Sequence, residues 1–165
     1  MKRLYLVRHA KSSWKNPDLR DMDRPLNKRG KRNLPVMAQW LYDRGTRPDL
    51  IISSPAKRAR KTAKGFARAL TYPKKRIVIR EEIYAAGVRD LLDLLAALDN
   101  EYFEVLMVGH NPGFTILANL LSGQHIANVP TCGIVALDFD IHAWSEISSG
   151  SGSLLFFDFP KNIAG

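Results

Sequence analysis

Four short apolar runs in the sequence are each followed directly by side chains that can donate a proton, accept one or carry charge. The first run, residues 4–7, leads into Arg8 and His9. The later runs lead into the other candidates, which are Ser54, Arg58, Glu81, Glu82 and His110. A guanidinium binds phosphoryl oxygens through paired hydrogen bonds, a neutral imidazole can attack phosphorus, and a carboxylic acid can protonate the leaving atom. These residue types therefore favour phosphoryl transfer at a site with His9 at its centre.

These side chains can converge only if the apolar runs are neighbouring strands of one sheet. Runs rich in β-formers predict strands over residues 4–7, 49–53, 76–80, 104–109, 133–140 and 153–159. Helical spacing of apolar residues predicts helices over residues 26–44, 55–70, 87–98 and 113–121. Four successive β-then-α units imply a mainly parallel sheet covered by helices on both faces, and the last two strands are expected to pair antiparallel at an edge. The carboxyl ends of parallel strands lie side by side, so the candidate residues are expected to share one pocket there.

Two segments interrupt this regular pattern. Residues 12–25 form a polar loop without helical or strand periodicity, which is long for a connector and is a candidate lid or substrate loop. Pro35 falls inside the first predicted helix, where a proline removes a backbone hydrogen bond. Either the helix bends at Pro35, or Asn33 caps a second helical segment that has Pro35 in its first turn.

Composition limits the class of protein. The 165 residues, of which 45% are hydrophobic, fit a single domain over 1–165 with one well-filled core. Neither a leader segment nor a membrane-spanning run is expected, because no apolar run approaches about 18 residues. Cys132 is the single cysteine, which is expected to be a packing residue in a protein of the reducing cytoplasm. The net charge of +9 favours an anionic partner.

Two other uses of these residues compete with phosphoryl transfer. Histidines with carboxylates could bind a metal ion, but Arg8 beside His9 and Arg58 nearby would repel a cation, so neither a metal nor another cofactor is expected. The basic helix from Lys57 to Arg68 could bind nucleic acid. It lacks interleaved aromatic residues and a recognised binding motif, so a nucleic-acid partner is not favoured.

Three motifs in this order resemble those of the histidine phosphatase (phosphoglycerate mutase-like) superfamily. Residues 6–10, Leu-Val-Arg-His-Ala, resemble its Arg-His-Gly signature. Residues 53–62 are similar to its Ser-Pro-x-x-Arg-Ala-x-x-Thr segment, and residues 108–111 resemble the segment that carries its second catalytic histidine. The short chain and the Arg-His-Ala-Lys-Ser-Ser variant are typical of the small SixA-like branch of protein phosphohistidine phosphatases.

The resemblance implies a fold and a set of roles. The fold is a three-layer α/β/α sandwich with a mainly parallel sheet. His9 would accept the phosphoryl group, Arg8, Arg58 and His110 would form the phosphate pocket, and no metal would be needed. The function implied is a metal-independent phosphatase acting through a phosphohistidine intermediate, with phosphohistidine in proteins as the substrate. The alternatives are a phosphatase for small phosphomonoesters and a phosphate-binding module with weak turnover.

The sequence departs from the family pattern at two positions. Ala10 replaces the usual glycine, and because alanine does not readily adopt positive φ, this turn is expected to differ slightly. The proton donor of the family is commonly acidic and follows the third strand, where Glu82 matches best. The carboxylates of the polar loop are the substitutes, namely Asp18, Asp21 and Asp23.

Overall fold

The computed structural model describes residues 1–164 as a six-stranded sheet with helices on both faces. The strands are β1 Lys2–Arg8, β2 Leu50–Ser53, β3 Val78–Ile79, β4 Glu104–Gly109, β5 Ile134–Phe139 and β6 Gly152–Asp158. The helices are α1 Lys28–Asp43, α2 Lys57–Ala69, α3 Val88–Ala96, α4 Gly113–Ser122 and α5 Pro160–Ala164. Short 3₁₀ turns lie at Asp21–Asp23, Lys74–Arg76, Glu81–Ile83 and Trp144–Glu146.

The sheet has the order β3-β2-β4-β1-β5-β6. Strands β3, β2, β4 and β1 are parallel to one another, β5 runs antiparallel to β1, and β6 runs antiparallel to β5. This arrangement confirms the predicted mainly parallel sheet with an antiparallel edge. The parallel strands all point their carboxyl ends toward one edge of the sheet, where ligand-binding groups gather in open α/β folds.

The side chains of β1 show how the sheet separates two apolar cores. Leu4 and Leu6 belong to the core on the face covered by α3 and α4. Tyr5 and Val7 belong to the core on the opposite face, under α1 and α2. Successive side chains of a strand point to opposite faces, so a strand covered on both sides is apolar at every position. This double burial explains the unbroken apolar run before Arg8 and His9.

Helix α1 is continuous through Pro35. Its first turn is capped by the side chain of Asn27, which accepts a hydrogen bond from the backbone N–H of Gly30 at 2.8 Å. The hypothesis that Asn33 caps a second segment is therefore wrong. Pro35 lies on the exposed side of the helix, while the buried side packs into the core beneath α1 and α2 and keeps the helix in place on both sides of the proline.

The third strand is much shorter than predicted. The sequence predicted residues 76–80, but β3 contains two residues, which pair with β2 alone at the edge of the sheet. Val78 and Ile79 are both exposed, and the preceding Lys74–Arg76 segment forms a 3₁₀ turn. An edge strand has one neighbour to pair with, so a β-forming run there does not extend by propensity alone. Within residues 1–164, none of the helices has the length and apolarity needed to cross a bilayer.

Candidate active site

The carboxyl edge of the parallel strands brings together the residues that follow β1, β2 and β4. Arg8 at the end of β1 lies opposite Gly109 at the end of β4. Ser53 at the end of β2 pairs with Val108 of β4. The residues next along the chain, His9, Ser54 and His110, therefore emerge side by side at this edge. Arg58 reaches the same place from the first turns of α2.

His9 is held in one tautomer by its two hydrogen-bonding partners. It is 7% exposed, and its Nδ1 lies 2.7 Å from the carbonyl oxygen of Ala10. Its Nε2 lies 3.4 Å from Nε of Arg58, which can only donate. The ring proton is therefore on Nδ1, where it is donated to Ala10, and Nε2 carries an unprotonated lone pair. This is the form in which an imidazole can act as a nucleophile.

The surroundings of the two histidines disfavour their protonated forms. Burial lowers the pKa of His9 to about 4, and the positive charges of Arg58 and Arg8 act in the same direction. Burial, the neighbouring His9 and Arg58 lower the pKa of His110 to about 3. The imidazole rings lie 5.1 Å apart between centroids. Both imidazoles are therefore neutral near pH 7.

Arg8 and His110 each bury a nitrogen that bonds to no atom of residues 1–164. Arg8 donates from Nη1 to the carbonyl oxygen of Val129 at 3.0 Å, while its buried Nε has no partner among these residues. His110 Nε2 lies 2.7 Å from Oγ of Ser54, and its buried Nδ1 likewise finds no partner within the described chain. Buried polar atoms are normally hydrogen-bonded, so such atoms at the ends of adjacent strands are typical of a binding site for a polar ligand.

The guanidinium of Arg58 is shared between His9 and the polar loop. Its Nη1 donates to the backbone oxygen of Asp21 at 2.7 Å, and its Nη2 donates to the carboxylate of Asp21 at 2.9 Å. The same carboxylate accepts a hydrogen bond from the hydroxyl of Tyr84 at 2.7 Å. The loop that the sequence marked as a candidate lid thus contacts the predicted phosphate-binding arginine directly.

Asp21 is ionised in this setting. Partial burial pushes its pKa upward, but the hydrogen bonds from Tyr84 and Arg58 and the charge of Arg58 outweigh burial, so the pKa lies below its ordinary value. The carboxylate therefore orients Arg58 rather than holding a proton near neutral pH.

The other three candidate carboxylates are not brought to this pocket. Glu82 pairs with Arg80, two residues earlier, and its pKa is lowered by that hydrogen bond. Asp23 pairs with Arg20 in the same loop, and Asp18 is exposed. Among residues 1–164, no hydrogen bond or salt bridge joins these three carboxylates to either histidine or to Arg58. The geometry therefore favours Asp21 over Glu82, because Glu82 lies on an exposed 3₁₀ turn with its charge already paired.

Ala10 fits its turn without strain. The described non-glycine residues with positive φ are Thr71, Ala85 and Cys132, so Ala10 needs no conformation that alanine avoids. Ala10 is fully buried, and its N–H donates to Oγ1 of Thr62 at 2.9 Å. The same hydroxyl donates to the backbone oxygen of Arg58 at 2.7 Å, so Thr62 ties the end of β1 to the helix turn that carries Arg58.

The sequence reasoning missed the loop that precedes β5. Because β5 is antiparallel to β1, residues 129–133 enter the sheet at the same edge as the catalytic candidates. The backbone N–H of Cys132 lies 3.0 Å from the carbonyl oxygens of both Arg8 and His9, and Thr131 lines the pocket. Nothing in the sequence marks this loop as functional. Cys132 is 1% exposed, as expected of a packing residue, and burial raises the pKa of its thiol to about 12.

The pocket above His9 is small and partly open. A cavity of about 170 Å³ is lined by Arg8, His9, Lys11, Ser12, Trp14, Arg58 and Thr131. At its mouth, Trp14 is 68% exposed and stacks on the guanidinium of Arg24 at 3.8 Å from the ring centroid. The single signal for Trp14 in the sequence was an aromatic residue in a polar loop. A cavity of this size holds a phosphoryl group together with a small part of its donor.

Comparison with known proteins places this geometry in a family. Residues 4–84, which include Arg8, His9 and Arg58, match the model of the histidine phosphatase superfamily (branch 1). The structure of SixA from Agrobacterium tumefaciens has 34% sequence identity and a TM-score of 0.83, covering 96% of this chain and 98% of that one. The SixA structure from Nakamurella multipartitia has 25% identity and a TM-score of 0.84, with 96% of both chains covered.

A plant relative is similar to this chain over nearly its whole length. A chloroplastic protein of Arabidopsis thaliana is 33% identical over 159 residues, which covers 92% of this chain and 72% of the relative. The predicted resemblance and the predicted class of phosphatase are confirmed. The chain is a phosphatase that belongs to the histidine phosphatase superfamily, in its SixA-like branch.

Proposed function

We propose that this chain hydrolyses phosphohistidine in proteins, without a metal ion, through a phosphohistidine intermediate on His9. The observation that carries the proposal is the unprotonated Nε2 of His9, which faces Arg58 in a pocket that Arg8 also lines, with the ring of His110 5.1 Å from that of His9. We further propose that residues 1–165 form a single domain.

The first chemical step transfers the phosphoryl group to His9. The lone pair of Nε2 attacks phosphorus as the bond from phosphorus to the leaving nitrogen breaks, and the leaving nitrogen takes up a proton from water at the open mouth of the pocket. The unpartnered Nε of Arg8 and Nδ1 of His110 are available to the phosphoryl oxygens, and the positive charge of Arg58 lies beside Nε2 of His9, since preorganised donors and charges stabilise the transferring group. The proton on Nδ1 stays hydrogen-bonded to Ala10 and stabilises the positive charge that develops on the ring.

The second step hydrolyses the intermediate. Water attacks phosphorus, the bond to Nε2 breaks, and inorganic phosphate leaves with the proton of the water while His9 regains its lone pair. Dividing one displacement into two steps lowers the barrier of each. The low pKa of His9 favours the return to the neutral ring.

The carboxylates around the pocket support a phosphoramidate substrate over a phosphate ester. Asp21 is the candidate proton donor that contacts the pocket, and its hydrogen bonds keep it ionised. An alkoxide leaving group needs a strong acid to protonate it, whereas an imidazole nitrogen makes a weaker demand. We therefore propose that Asp21 positions Arg58. Glu82, the predicted proton donor, is paired with Arg80, and we do not assign it that role.

The openness of the site supports a protein as the carrier of the phosphohistidine. The pocket holds a phosphoryl group and a small part of its donor but has no room for the rest of a protein, and its mouth presents exposed Trp14. The Agrobacterium relative is named as a phosphohistidine phosphatase, which supports the same substrate class. We propose the cytoplasm as the compartment, because the lone thiol of Cys132 is reduced and buried.

Trapping of the intermediate tests the mechanism. The protein is incubated with a ³²P-labelled histidine-phosphorylated protein and quenched in alkali, and the label is then tested for loss in acid. Acid-labile label is expected on the unmodified protein and on His125→Ala, which removes an exposed histidine outside the pocket, but not on His9→Ala. Label retained by His9→Ala would overturn the assignment of the nucleophile.

A comparison of three substrates tests the specificity. Rates are measured side by side on the phosphohistidine protein, 3-phosphoglycerate and an aryl phosphate. We expect kcat/KM to be highest for the phosphohistidine protein. A higher value for either ester would favour the small-molecule phosphatase, and vanadate binding without turnover of any substrate would favour the phosphate-binding module.

A further inference from the structure

The positive charge of this chain is concentrated on one side of the sheet. Residues 24–76 contain 16 of the 25 basic residues but only two of the 16 acidic residues. This segment includes α1 and α2, which cover the same face of the sheet. Neither helix has an acidic residue in its first turn, and the lysines of both helices form no salt bridge with any carboxylate of residues 1–164. The remainder of the chain has more acidic than basic residues, so the molecule is electrostatically polarised.

A second cavity lies between these two helices. It has a volume of about 440 Å³ and is lined by Pro25, Leu26, Lys31, Leu34, Lys57 and Lys61. We refer to it as the lysine cavity. Its three lysines are exposed, and its other walls are aliphatic or prolyl.

The lysine cavity adjoins the catalytic pocket. Leu26 of its wall forms a β-bridge with Ser12, which lines the pocket above His9. Lys57 directly precedes Arg58, whose guanidinium contacts His9. A partner whose phosphorylated residue enters the pocket would therefore lie against the lysine cavity as well.

We propose that the face formed by α1 and α2, with the lysine cavity, docks an acidic surface of the protein that carries the phosphohistidine. This inference rests on the proposed function. The catalytic pocket of about 170 Å³ encloses the phosphoryl group, so the rest of the partner must contact the surrounding surface. Carboxylates complement unpaired lysines, and opposite potentials accelerate the encounter of two proteins.

The cavity walls favour a protein over a nucleic acid. Grooves that bind single strands combine basic side chains with aromatic rings on which the bases stack. The lysine cavity has Leu26, Leu34 and Pro25 in place of aromatic rings. Apolar walls with cations at the rim suit an amphipathic protein surface that has carboxylates beside apolar side chains.

Charge reversal at the cavity tests the proposal. The test variant is Lys31→Glu/Lys61→Glu, which spares Lys57 because it is adjacent to Arg58. The control is Lys74→Glu/Lys75→Glu, which has the same net charge and changes exposed lysines beyond the C-terminal end of α2, a helix about 20 Å long that has the lysine cavity at its N-terminal end. The probes are a small acidic carrier protein phosphorylated on one histidine, and phosphoimidazole, which has no protein surface.

We expect the test variant to raise KM for the carrier about tenfold at 50 mM salt with little change in kcat, and the difference to shrink at 200 mM salt. The rates on phosphoimidazole should stay within about twofold, and the control should change KM for the carrier by less than about threefold. An unchanged KM for the carrier, an equal loss on phosphoimidazole or an equal effect of the control would overturn the docking surface. Displacement of the carrier by a 20-nucleotide single strand that binds tightly to the unmodified protein but not to the test variant would assign the face to nucleic acid instead.

A binding measurement separates docking from catalysis. Calorimetry compares the binding of the phosphorylated carrier to His9→Ala and to His9→Ala/Lys31→Glu/Lys61→Glu. Weaker binding of the carrier to His9→Ala/Lys31→Glu/Lys61→Glu than to His9→Ala supports the docking surface. If the unmodified protein hydrolyses neither probe, that result refutes the proposed function but leaves the docking surface standing. Equal binding to both proteins refutes the docking surface whatever the turnover.

Discussion

The protonation state of His9 at mildly acidic pH is the sharpest consequence of its surroundings. An ordinary imidazole with a pKa near 6.5 would be about 90% protonated at pH 5.5. With a pKa of about 4, His9 would be about 3% protonated at that pH. The difference corresponds to about 3 kcal/mol against the imidazolium, and it arises mainly from burial and also from the charges of Arg58 and Arg8.

Nitrogen NMR measures this state directly. Uniformly ¹⁵N-labelled protein is titrated from pH 7.5 to 4.5, and long-range correlation spectra report the protonation of both ring nitrogens. At pH 7.5 the spectra should show His9 with a protonated Nδ1 and an unprotonated Nε2, as its bonds to Ala10 and Arg58 require. The pattern should persist at pH 5.5.

Variants assign the signals and test the cause. His9→Gln removes one set of signals and identifies it, and Arg58→Met removes a neighbouring charge while retaining bulk. Because Arg58 lowers the pKa of His9 and donates a hydrogen bond to its Nε2, Arg58→Met should raise that pKa. It should also allow the ring proton to move from Nδ1 to Nε2. A His9 ring that carries its proton on Nε2 at pH 7.5, or that titrates above pH 6, would refute the reasoning.

Three further predictions concern stability. Thr62→Val should lower the free energy of unfolding by about 1–3 kcal/mol, because the N–H of Ala10 would be buried without an acceptor, whereas Thr62→Ser should retain most of the stability in urea denaturation. Gly30→Ala should lower the free energy of unfolding by about 1–3 kcal/mol in the same assay, because its Cβ would lie 2.2 Å from the backbone oxygen of Lys11. The control Arg32→Ala, at an exposed position of the same helix, should change the free energy of unfolding by less than about 0.5 kcal/mol. Equal effects of the two substitutions would contradict the close contact at Gly30. The buried imidazoles of His9 and His110 have lowered pKa values, so below pH 6.5 the unfolded chain binds more protons than the folded one. The free energy of unfolding should therefore fall by about 2 kcal/mol per imidazole between pH 7.5 and pH 5. A profile without this fall would contradict the burial of the two imidazoles as neutral groups.

The sequence by itself determined the family, the order of the elements and the main candidates of the site. Apolar runs that end at Arg8 and His110 locate strand ends, because a strand buried on both faces favours apolar side chains. A buried charge there is costly unless it is hydrogen-bonded, as that of Lys2 is at the start of β1. Helical spacing located the four main helices to within a few residues, because one apolar stripe must face the sheet. These signals are local, so they can be read without knowing which strands are neighbours.

The tertiary structure decided which groups touch. Glu82 and Asp21 are both plausible carboxylates in the sequence, but only the packing of the polar loop against α2 gives Asp21 the guanidinium of Arg58, while Glu82 is occupied by Arg80. The tautomer of His9 likewise depends on Arg58, 49 residues away along the chain. The loop before β5 joins the site because β5 runs antiparallel to β1. Such contacts depend on strand order, strand direction and loop packing. These are long-range properties, so they cannot be read from the residue type at one position or from the spacing of apolar residues in one segment. The sequence thus determined the nucleophile candidate, and the fold decided its proton, its partners and the carboxylate beside it.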